Sequence, residues 1–147
     1  MISKRLLLIA LSCLTTFSFA NTPPACPHVD MLKQERLSNA LYFEPTPEQK
    51  HYFIYEQSHY NTPNDWLFGI TPIKAETKEA ALTQANYLLE AVSGTPVAIP
   101  VKHQAAHIWL CQYQTEEGYF AQAVSMSKPN ITSQPSLSDT LMLLGQL

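Results

Sequence analysis

The chain has 147 residues, nine basic and twelve acidic, for a formal charge of −3. That length predicts one domain able to bury a core, and the shortage of Lys and Arg argues against nucleic acid as a partner, since phosphate binding needs clustered cations. Four glycines and no G-x-G-x-x-G or Walker-type run exclude a Gly-rich phosphate cradle.

Residues 1–20 read as an export signal. Lys4 and Arg5 form a positive start, Leu6 to Leu14 an apolar stretch, and Ser18-Phe19-Ala20 a small-residue cleavage site ahead of Asn21. Lipoprotein processing at Cys13 fits less well, because Ala10 stands where a leucine is expected in Ala10-Leu11-Ser12-Cys13. A secreted or periplasmic location is therefore expected. No later apolar run is long enough to span a bilayer, so no integral membrane segment is expected after cleavage. Loss of the leader leaves seven basic against twelve acidic residues, with Arg36 the one remaining arginine. It also leaves two cysteines in an oxidising compartment, which predicts a disulfide between Cys26 and Cys111.

The stretch 21–50 reads as an extended N-terminal segment with a short helix, since Val29, Leu32, Leu37 and Leu41 recur at loose helical intervals before Pro45 and Pro47. Residues 51–126 read as the core. His51 to Gln57 is a β-branched and aromatic run, Ser58 to Asp65 a turn, and Trp66 to Ile73 a second strand whose Pro72 suggests an edge or an end. Lys78 to Val92 is the clearest element, a helix capped by Thr77 and stopped by Ser93-Gly94, with Ala81, Leu82, Ala85, Leu88, Leu89 and Val92 on one stripe. Val97 to Val101 is interrupted by Pro100. His107 to Gln114 and Tyr119 to Met126 form a closing hairpin around Thr115-Glu116-Glu117-Gly118. The tail 127–147 reads as a linker and a short terminal helix over Leu137 to Leu144. The expected fold class is α+β, a four-stranded antiparallel sheet in the order β-β-α-β-β with one packed helix.

Catalytic patterns are weak. There is no G-x-S-x-G elbow, the cysteines are expected to pair with each other, and Glu116 and Glu117 sit at a hairpin tip. No catalytic residues and no metal site are assigned. His103 and His107 would lie about 6 Å apart on a helix but about 13 Å apart on a strand, and the flanking prolines favour the strand. Haem asks less, because one axial His or Tyr beside an aromatic surface suffices. His103, His107 and Tyr113 are the candidate haem-binding residues, with His51 and His59 next in line and Tyr52, Tyr55, Trp66 and Trp109 as candidate surface.

Trp66-Leu67-Phe68-Gly69-Ile70, the Ala-rich helix from Thr77, Trp109-Leu110-Cys111-Gln112-Tyr113 with its hairpin, and a cysteine near the mature start resemble a family of small secreted gammaproteobacterial proteins of unknown function. Some of its members carry a hemin-binding label. The resemblance implies a non-enzymatic binding protein with hemin, or a host or envelope protein, as partner. A small secreted hydrolase and a structural or secretion-associated envelope protein are the alternatives.

Overall fold

The computed structural model describes residues 22–46, 48–103 and 106–126. The leader at 1–20 and the linker and terminal helix expected in 127–147 lie outside the described residues, as do the side chains of His103 and His107. In chain order the elements are α1 (Val29–Glu35), β1 (Asn39–Thr46), β2 (Gln49–Ser58), β3 (Trp66–Lys74), α2 (Lys78–Ala91), β4 (Ile99–His103), β5 (Ala106–Tyr113) and β6 (Phe120–Met126). The strands form a single antiparallel sheet in the order β1-β2-β3-β6-β5-β4.

The expected four-stranded sheet with one packed helix is thus corrected to six strands with two helices, a mostly β architecture. Both extra strands sit at the edges. Leu37 and Leu41 do not continue α1, because the chain leaves the helix at Arg36, whose φ is 58°, and then pairs with β2 from Asn39 onward. Pro45 in β1 and Pro100 in β4 look like breakers in sequence, yet an edge strand has one unpaired side on which a missing N–H costs nothing. β3, by contrast, is central. Its partner β6 runs out at Thr71, so Pro72 falls where that side of the strand is already unpaired.

α2 forms where its residues predict it. Thr77 accepts a hydrogen bond from the Ala80 amide at 3.2 Å, and the helix ends at Val92 ahead of Gly94, whose φ is 106°. Ala81, Ala85, Leu88, Leu89 and Val92 are buried against Ile54, Trp66, Phe68 and Ile70 on one face of the sheet. α1 and the N-terminal segment cover the rest of that face. Cys26 is bonded to Cys111 of β5, the Tyr113 hydroxyl donates to the Pro27 carbonyl at 2.7 Å, and Asn86 exchanges two hydrogen bonds with the Leu37 backbone.

The opposite face carries a second apolar cluster, in which Phe53, Leu67, Ile108, Leu110 and Val124 are buried and Phe43, Tyr55 and Val101 pack against them. Strand alternation forces this split over the first half of β3, where Trp66, Phe68 and Ile70 face the first core and Leu67 the second; past the register shift opposite Tyr52 and Ile54, Ile73 returns to the first core.

Candidate functional site

His51 stands on the second face of β2, in line with Phe53 and Tyr55, and its cross-strand neighbours are Phe43 on β1 and Lys74 on β3. The Phe43 ring meets the imidazole edge-on with centroids 5.6 Å apart, and Phe53 stacks on Tyr55 at 5.5 Å. Gly69 makes this aromatic row possible. A Cβ there would lie 2.4 Å from Phe53 Cζ and 2.8 Å from the Ile54 carbonyl oxygen, so only hydrogen leaves space for the ring over β3.

His51 is 8% exposed, and its Nε2 is buried with no hydrogen-bond partner among the described residues. A native buried polar atom without a partner is uncommon and calls for a functional or structural reason. Burial, and then the positive charge of Lys74, hold the His51 pKa below its ordinary value. The ring therefore stays neutral at neutral pH, the form in which imidazole ligates a metal.

The other histidines divide differently. His28 caps α1, its Nδ1 accepting from the Asp30 amide at 3.3 Å. His59 braces the loop between β2 and β3, with Nδ1 3.1 Å from the Asn64 carbonyl and Nε2 3.1 Å from the Asp65 carboxylate. His103 and His107 do not share a strand. They flank the β4–β5 turn, where His103 pairs with Ala106 and His107 with Lys102, so the register puts the two positions on opposite faces of the sheet. Tyr113 is committed to the first face: its ring meets Phe68 edge-on, its hydroxyl is spent on Pro27, and burial raises its pKa.

The expected aromatic surface is divided in the same way. Trp66 and Tyr113 lie in the first core with Tyr52 and Trp109 packed against it, while Tyr55 belongs to the second face. Alternation along His51-Tyr52-Phe53-Ile54-Tyr55 was the signal that sets His51 among Phe53 and Tyr55, and it is legible without coordinates.

Elsewhere, a groove of about 230 Å³ lies at the β5–β6 hairpin, lined by Gln112, Tyr113, Tyr119 and Phe120 among others, and its lining supplies no carboxylate or imidazole. Among the described residues no three His, Cys, Asp or Glu side chains gather closely enough to hold a metal ion, and no helix is long and apolar enough to cross a membrane. No curated protein and no solved structure gives a significant match to the chain. A family model does, described as a domain of unknown function (DUF4949); it matches residues 25–133, and the chain belongs to that family.

Proposed function

We propose that the protein is a non-enzymatic binding protein acting outside the cytoplasm, and that hemin is its ligand. The observation that carries this reading is the buried Nε2 of His51, without a hydrogen-bond partner among the described residues, in its aromatic row. An apolar, aromatic setting suits a porphyrin, and a neutral imidazole is its commonest axial partner. Hemin would supply an iron centre; His51 would give it a ring nitrogen once the Nε2 is uncovered, and the half-buried Phe43 and Tyr55 would give it apolar surface, with Phe53 buried beside them. The export leader and the resemblance to secreted proteins with a hemin-binding label favour the same reading.

Titration of the mature chain with hemin, followed in the Soret band, tests it. Saturable binding is expected with one equivalent, lost in His51→Ala and kept in His103→Ala and His107→Ala. A flat titration at tens of micromolar ends the hemin reading. Binding that survives His51→Ala but falls with either of the other two moves the site to the β4–β5 end of the sheet.

A further inference from the structure

The second face of the sheet is buried along its middle and more open at its two edges, where Phe43 on β1 and Val101 on β4 are half-buried and Leu41 and Ile99 are exposed. Val124, Leu67 and Leu110 lie in register across β6, β3 and β5 and are 1%, 2% and 6% exposed. Leu41 on β1 is aligned with Phe53, and Ile99 on β4 with Leu110, so both share that face, yet they are 40% and 48% exposed. The outer strands show what an uncovered aliphatic side chain retains here. Both described helices pack into the first core, so neither accounts for burial on the second. Three adjacent strands about 4.8 Å apart make a strip some 10 Å wide, which is the width of one segment of helical chain, about 10 Å.

The geometry points to residues 127–147 as the occupant of this strip. The chain leaves β6 at Met126, which pairs with Ile108 inside the strip, so the segment begins at the face assigned to it. Residues 127–135, extended, reach about 30 Å at roughly 3.3 Å each, enough to turn back across the strands. Leu137, Leu141 and Leu144 then fall at i, i+4 and i+7, one apolar stripe of a helix. The segment carries only Lys128 and Asp139 as charged side chains, so little charge is desolvated on docking. The other long stretch outside the described residues, 1–21, joins the molecule on the opposite side, where Cys26 is bonded to Cys111 in the first core. This docking concerns the β3–β6–β5 part of the face and holds whether or not the His51 end binds hemin.

Carbene footprinting of the full mature chain, read residue by residue by mass spectrometry, tests the assignment. Labelling is expected to be low at Leu67, Leu110 and Val124 and high at Leu41 and Ile99. Changing Leu137, Leu141 and Leu144 together to Ser should raise the first three several-fold and leave the last two unchanged, while Gln134→Ala and Gln146→Ala alter nothing. Where the triple variant fails to fold, Leu141→Ser alone should give a smaller rise at the same three residues. Unchanged labelling of Leu67, Leu110 and Val124 in a folded tail variant overturns the assignment. So does sedimentation as a dimer with those residues protected in the tail variants, which would make a second copy the occupant.

Discussion

At the scale of single residues, His51, Gly69 and Tyr113 each carry a consequence that can be measured. The folded state holds the His51 pKa below the ordinary 6.5, so the unfolded chain takes up the proton first as the solution is acidified. The stability linked to neutral His51 is thus complete above about pH 6.5 and is lost as the pH falls below that value toward the lowered folded pKa. Melting temperatures measured between pH 8 and pH 5 should therefore fall with acidification, and His51→Phe should flatten that part of the profile. A variant with the same acid slope would show that another group sets it. Gly69→Ala drives a methyl into the Phe53 ring and the Ile54 carbonyl, an overpacking that costs about 1–3 kcal/mol. Denaturant midpoints read the loss, and Gly69→Ala combined with Phe53→Leu should recover part of it. Tyr113→Phe keeps the ring against Phe68 and strands the Pro27 carbonyl without its donor, for a loss of about 1–3 kcal/mol.

At the scale of elements, α2 is the piece whose docking follows most directly from its own sequence. Leu88 and Leu89 are buried under it, and truncating either to Ala should cost about 2–5 kcal/mol. Gln84 is half-buried and its amide reaches the Tyr119 hydroxyl at 3.1 Å, so Gln84→Ala removes one peripheral hydrogen bond and should cost about 1 kcal/mol or less. Equal losses from all three substitutions would mean that a different side of α2 faces the sheet. The cap at Thr77, the apolar stripe and the stop at Gly94 are local signals, which is why this helix is legible from sequence. β2, β3, β5 and β6 are legible for a related reason, since each is an aromatic or β-branched run bounded by turn residues. β1 and β4 are not, because each contains a proline and is held only by one neighbour. Their pairing is a property of β2 and β5 as much as of their own residues. The site was half legible: alternation places His51 beside Phe53 and Tyr55, but the lack of a partner for its Nε2 among the described residues depends on what lies across two other strands.

At the scale of the whole molecule, the fold is a sheet whose first core is closed by α2 and, beside it, by the N-terminal segment, which the Cys26–Cys111 bond ties to β5. Their Cα atoms are 5.9 Å apart across a sequence separation of 85. Closing a loop of that length removes denatured-state entropy worth about 4.5 kcal/mol in the chain-entropy model, an upper guide to what reduction costs. Noncovalent ties act on the same segment: Leu32 and Leu37 are buried in the first core, Tyr113 holds Pro27, and Asn86 brackets the Leu37 backbone. Those ties bear chiefly on α1 and on the start of β1, whereas Cys111 is wholly buried on β5 between Trp109 and Tyr113. Reduction, or the paired change Cys26→Ser and Cys111→Ala, should therefore lower the melting temperature while leaving the sheet and α2 intact. Amide exchange should rise first between Cys26 and Leu37, the segment that the bond ties to β5, and stay slow in β3 and β6 at the centre of the sheet. Intact mass of the native protein should be two units below that of the reduced chain, and two titratable thiols in the native protein would remove the bond from this account.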